Sequence, residues 1–171
     1  AEMNRSANCV LVPVAKFDDA GTTTAVGLTS PAVGGTVGWI FYDVNGLLLA
    51  KGQKTILAGQ FSDFVMSNEI SADFSNQLGF LLFCLDSDKD NLISLNDAVS
   101  LSANAFQIDL QDQDVAYIPT IPIFRSNINP SNITQPFDDW INSPISSLSA
   151  GASVGESIAL QYLIDGVSGS G

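Results

Sequence analysis

Short runs of alternating apolar and polar residues fill the chain through residue 124, and helical periodicity is scarce there. Each run is bounded by Gly, Asn, Asp, Ser or Pro. Residues 9–17 (CVLVPVAKF) alternate around Pro13, which has no N–H and so marks a strand edge or a bulge. Residues 22–28 read as a Thr/Val strand ending near Ser30-Pro31. Residues 36–42 place Val37, Trp39 and Phe41 on one face and Ile40 and Tyr42 on the other. Asn45-Gly46 then predicts a tight hairpin with positive φ at both positions, and residues 47–50 return. Residues 61–66, 79–85 (GFLLFCL), 105–110 and 115–124 supply the remaining strands. Strands at this spacing predict an all-β fold, an antiparallel β-sandwich.

At Arg125 the pattern changes. Residues 125–155 are rich in Ser, Asn, Pro and Gly, with one short helical turn expected at 137–141. Residues 157–165 (SIALQYLID) alternate again, with Ile158, Leu160, Tyr162 and Ile164 on one face. The chain thus divides into a sandwich domain, 1–124, and an irregular extension, 125–171, carrying a terminal strand at 157–165. An irregular stretch of about 30 residues is uncommon inside a compact domain and implies a task of its own. Such an arm carries its final strand to a groove, either in the same subunit or in a neighbour by strand addition.

Composition narrows the function. The 171 residues suffice to bury a core without staples. Apolar residues make up 46% but charged residues only 14%, against roughly 25% in an average soluble domain. Ser, Thr, Asn, Gln and Gly therefore cover much of the surface, and neutral surfaces are the cheaper ones to desolvate against other copies. The competing reading is an acidic soluble domain suited to a salty or acidic medium. Six Lys and Arg against eighteen Asp and Glu give a net charge of −12, the wrong sign for a nucleic-acid partner. With no histidine, every Ser-His, Cys-His or His-metal arrangement is excluded. No SxxK pattern and no Gly-rich phosphate loop before a helix is present, and no carboxylate pair stands out for glycoside hydrolysis. The expectation is a protein that is not an enzyme.

The chain opens Ala1-Glu2-Met3, as a processed secretory protein does, and no apolar run is long enough for a membrane span. Cys9 and Cys84 lie in strand-like runs far apart in sequence. In an oxidising compartment they form one disulfide closing a long loop; in a reducing one they are two buried thiols. Asn4 and Asn132 open N-x-S/T tripeptides and are candidate glycosylation acceptors.

The sharpest motif spans residues 86–97, DSDKDNLISLND. Ca²⁺ takes six to eight oxygens, and a loop supplies them at alternating positions. Asp86, Asp88 and Asp90 stand at positions one, three and five, Leu92 gives a carbonyl at seven, Ser94 a hydroxyl or a water at nine, and Asp97 closes at twelve. Asn91 stands where Gly usually makes the sharp turn, and Ile93 at eight matches the apolar anchor of such loops. These twelve residues resemble the EF-hand and dockerin-type calcium loop, Asp at twelve being nearer the dockerin form, although the preceding GFLLFCL reads as a strand rather than a helix. A second acidic group, Asp109, Asp112 and Asp114, forms a further cation site, widens the first, or is a solvent-facing hairpin turn.

The whole of residues 8–124 loosely resembles a secreted immunoglobulin-like domain, with a Trp in a central strand and one cysteine in an early and one in a late strand. That resemblance implies a disulfide bridging the two sheets with Trp39 packed against it; the tyrosine expected two residues before the second cysteine is replaced by Leu82. Together these readings predict a calcium-stabilised structural subunit of an extracellular filament or cell-surface assembly. Its partners are other copies of itself, joined by apolar interfaces and strand addition. The rival is a monomeric secreted adhesin or carbohydrate-binding module, in which loop aromatics such as Phe137 and Trp140 stack on a glycan.

Overall fold

The structure is a computed structural model and describes residues 6–89, 92–93, 97–123 and 135–136, the pairs 92–93 and 135–136 by their backbone. Among the described residues eleven strands follow in order: β1 (Cys9–Ala15), β2 (Thr22–Thr29), β3 (Gly35–Asp43), β4 (Leu48–Ile56), β5 (Phe61–Val65), β6 (Gly79–Asp86), β7 (Leu92–Ile93), β8 (Ser102–Asp109), β9 (Asp114–Ile118), β10 (Ile121–Ile123) and β11 (Gln135–Pro136). A one-turn helix, α1 (Met66–Glu69), and a 3₁₀ turn, Ala72–Phe74, link β5 to β6. Every pairing is antiparallel. The main sheets run β10-β1-β6-β3-β4 and β5-β2-β8-β9, and β7 pairs with β11 apart from them. This is the expected all-β antiparallel sandwich.

Strand periodicity decides what fills the space between the sheets. Val37, Trp39 and Phe41 of β3 and Leu81, Phe83 and Leu85 of β6 face inward, against Val26 and Leu28 of β2, Phe64 of β5 and Ala103 and Ala105 of β8. Trp39, Phe64 and Phe83 form an edge-to-face chain across the sandwich, with centroid distances of 5.0 and 5.1 Å. Pro13 behaves as its missing N–H requires. The register of β1 on β6 slips between Val12 and Ala15, so inward positions change from Val10 and Val12 to Ala15.

Three expectations are corrected. The hairpin after β3 is longer than a two-residue turn. The Gly46 N–H donates to the Asp43 carbonyl at 3.0 Å and the Asp43 N–H to the Leu47 carbonyl at 2.9 Å. Only Gly46 takes positive φ in this turn, at 84°. A carboxylate oxygen of Asp43 also accepts the N–H groups of Asn45 and Leu47, at 2.8 and 3.0 Å, which favours this wider loop. The return strand then runs to Ile56 rather than residue 50. Second, residues 115–124 are not one strand. β9 ends at Ile118, Pro119 offers no N–H, and β10 joins the other sheet.

Third, the disulfide is present but not between sheets. Cys9 and Cys84 are directly opposed on the adjacent strands β1 and β6, with the S–S bond at 1.99 Å. Both point to the outer face with Leu11, Leu82 and Phe80, whereas Trp39 lies in the inner core. Residue parity is the cause, since Cys84 is one step out of phase with inward Phe83 and Leu85. The immunoglobulin-type placement of Trp against the bridge is therefore replaced by a bridge within one sheet.

A candidate metal centre at the end of β6

β6 delivers the first acid. Its eight residues are buried throughout, and Asp86 at its end lies opposite Thr36 of β3 and is 1% exposed. The chain then turns outward, with Asp88 exposed and Lys89 in the left-handed region at φ 59°. It comes back through Asp97, 2% exposed. Two hydrogen bonds tie the ends of the loop together. The Ser87 N–H donates to Asp97 Oδ1 at 3.0 Å, and the Ala98 N–H donates to Ser87 Oγ at 2.8 Å. Between them, Leu92 and Ile93 pair with Pro136 and Gln135, so the extension returns to the acidic loop.

The result brings together positions one, three and twelve of the sequence motif. One carboxylate oxygen from each of Asp86, Asp88 and Asp97 lies within 4.8 Å of the others. Two oxygens on opposite sides of one Ca²⁺, each at about 2.4 Å, stand about 4.8 Å apart, so the donor set fits that ion in size and in hardness. It also fits electrostatically. Two carboxylates at this separation repel by about 3 kcal/mol at an effective dielectric constant near 20, and two of the three are out of water. A divalent cation reverses the sign of that term. Asp90, Ser94 and the Leu92 side chain lie outside the described residues, as do Asn4, Asn132, Phe137, Trp140 and the strand expected at 157–165.

The second acidic group is a turn. Asp109 Oδ1 accepts the N–H groups of Gln111 and Asp112 at 3.0 and 3.2 Å, and Gln113 takes φ 54° to close the β8–β9 hairpin. Among the described residues these acids join no three-carboxylate group. Asp18 acts likewise at the start of β2, accepting from Ala20 and Thr22.

A surface that the sequence pattern did not single out lies on the outer side of the four-stranded sheet. Phe106 of β8 and Tyr117 of β9 are opposed and meet edge-on at 5.7 Å. Phe61 of β5, 70% exposed, lays its ring over Gly27, where a Cβ would sit 2.4 Å from it. Val115 and Tyr117 are also exposed. A run such as 61–66 or 115–118 alternates whether its outward side chains meet water or a partner, so periodicity alone does not mark the patch.

No family model matches the chain, and no curated protein matches it. Among solved structures, FlgD of Xanthomonas campestris, described for hook capping in flagellar assembly, is similar at 18% identity and a TM-score of 0.30. The match covers 67% of this chain and 68% of that one. FlgD of P. aeruginosa is similar at 15% identity and a TM-score of 0.31, over 70% and 74% of the two chains. Both likenesses are too distant in overall shape to carry a statement of function.

Proposed function

We propose that the protein is a calcium-stabilised structural subunit of an extracellular filament or cell-surface assembly, with copies of itself as partners. The observation that carries this reading is the outward apolar face of the four-stranded sheet, with Phe61, Val115 and Tyr117 at 70%, 60% and 43% exposure. Exposed aromatic and aliphatic side chains gathered on one sheet face are the kind of surface that another molecule covers. Strand addition has somewhere to occur as well, because among the described residues β4, β10, β5 and β9 stand at the ends of the two sheets. The Cys9–Cys84 bridge supports an oxidising compartment. Among the described residues no helix is long and apolar enough to cross a membrane.

Calcium has two effects in this reading. It joins Asp86, Asp88 and Asp97 at one end of the sandwich, and it lowers a net charge of −12 that opposes close packing of copies. The test is particle size of the untagged protein by light scattering and negative-stain imaging, with Ca²⁺ and then with excess EGTA. Filaments or sheets that loosen on chelation are the expected result. Assemblies indifferent to EGTA would remove calcium from the reading, and a monomer under both conditions would remove the assembly.

A further inference from the structure

Four turns build one end of the sandwich, and strand register and hydrogen bonds place them side by side. The β3–β4 turn starts at Asp43, which stands opposite Gly79 of β6, and Leu78 precedes Gly79. The 75–78 turn meets residues 17–21, since the Asn76 N–H donates to the Phe17 carbonyl at 2.8 Å and Asn76 Nδ2 donates to Asp19 at 3.4 Å. Residues 17–21 meet the β8–β9 turn through the Leu110 N–H, which donates to the Gly21 carbonyl at 3.1 Å. Exposed apolar side chains gather on this end: Leu47 at 63%, Leu110 at 66%, Leu78 at 48% and Val44 at 39%. Turn geometry does not call for them. Gly21 and Gly46 supply the positive φ, and Asp18, Asp43 and Asp109 accept the backbone N–H groups. Apolar side chains gathered on neighbouring turns and largely in water are the kind of surface that another molecule covers.

We propose that this end docks a cationic partner, a protein segment that carries both basic and apolar residues. Charge selects the partner. The four turns hold Asp18, Asp19, Asp43, Asp109, Asp112 and Asp114 and no Lys or Arg, and the cation nearest to any of them in sequence is Lys16. An apolar patch ringed by one sign of charge steers in a partner of the opposite sign and repels one of the same sign. A second copy brings a net charge of −12 and is the poorer occupant. A purely polar cation would leave the leucines in water, and a purely apolar segment would desolvate carboxylates without compensation. A segment with both kinds of side chain meets both requirements, its basic groups at the carboxylates and its apolar groups over Leu47 and Leu110.

The inference stands apart from the filament reading, which uses the outer side of the four-stranded sheet rather than the end of the sandwich. The test uses the full chain in Ca²⁺ and a fluorescein-labelled peptide of alternating Lys and Leu, read by fluorescence anisotropy. A control peptide has Ser in place of every Leu. The Lys-Leu peptide should bind, and the Lys-Ser control should bind at least about tenfold more weakly. Leu47→Ser with Leu110→Ser should weaken the Lys-Leu peptide at least about tenfold, and Asp112→Asn with Asp114→Asn should do the same. Asp63→Asn with Glu69→Gln removes equal charge elsewhere and should change binding less than about twofold. Equal binding of the two peptides, or equal losses from the two charge-removing pairs, would reduce the effect to net charge and overturn the proposal. So would a Lys-Leu peptide that does not bind, or that binds the leucine variant unchanged. Particle size keeps the filament reading separate. The leucine variant should match the unmodified protein in light scattering, and smaller particles would assign this end to contacts between copies instead.

Discussion

Tyr42 shows how one residue ties burial to pH. Its ring stacks on Phe80 at 4.9 Å, and burial pushes its phenol well above the ordinary value of 10.0. Below that value the phenol is neutral in both the folded and the unfolded chain. Above it the unfolded chain loses the proton while the folded chain keeps it, so stability is complete below about pH 10 and falls as pH rises, by about 1.4 kcal/mol per pH unit. Tyr42→Phe should remove that slope. At neutral pH it should also raise stability by about 1 kcal/mol, because it deletes a buried hydroxyl without a partner. Urea titrations at pH 7 and pH 11 measure both effects. At the acidic loop, Asp86→Asn and Asp97→Asn should each weaken Ca²⁺ binding by at least about tenfold by calorimetry, through loss of a charged oxygen ligand.

Among the elements, β6 organises the most. It pairs with β1 and β3, buries all eight residues, carries Cys84, and ends at Asp86. Its fixed position is what brings the acidic loop into place. The bridge to β1 spans 75 residues of sequence, and closing a loop of that size restricts the unfolded chain. Cys9→Ala with Cys84→Ala should cost about 2–5 kcal/mol, seen as a lower urea midpoint that reductant no longer shifts. At the other end of β6, a Cβ on Gly79 would lie 1.7 Å from the Tyr42 carbonyl oxygen. Gly79→Ala must therefore push β6 away from β3, with an expected loss above about 2 kcal/mol in the same assay. Element boundaries show how far local signals extend. The faces of β3 were readable from the alternation of Val37, Trp39 and Phe41 with Ile40 and Tyr42. The length of β4 was not, because its polar stretch Lys51–Thr55 is held as a strand by pairing along β3 rather than by its own pattern.

For the whole molecule, the two outer faces differ, one buried and one open. If the open face joins copies, Phe61→Ser with Tyr117→Ser should reduce particle size in Ca²⁺ by light scattering while leaving the melting temperature nearly unchanged. Phe61 is 70% exposed and Tyr117, 43% exposed, lies outside both buried core clusters, so little core energy is lost with them. A melting temperature that dropped by many degrees would assign them to the fold instead.

By itself the sequence determined the strand content, the two-faced strands of the core and the spacing of the acids, because period-two alternation, turn chemistry and ligand spacing are local properties. Tertiary structure alone decided which sheet each strand joins and which face the disulfide occupies. It also decided that Cys9 and Cys84 are bonded, that Asp86, Asp88 and Asp97 converge while Asp109 turns a hairpin, and that the outward side chains of one sheet are buried while those of the other are exposed. Each of these depends on register between segments distant in sequence, and a shift of one residue in that register sends every side chain of a strand to the opposite face.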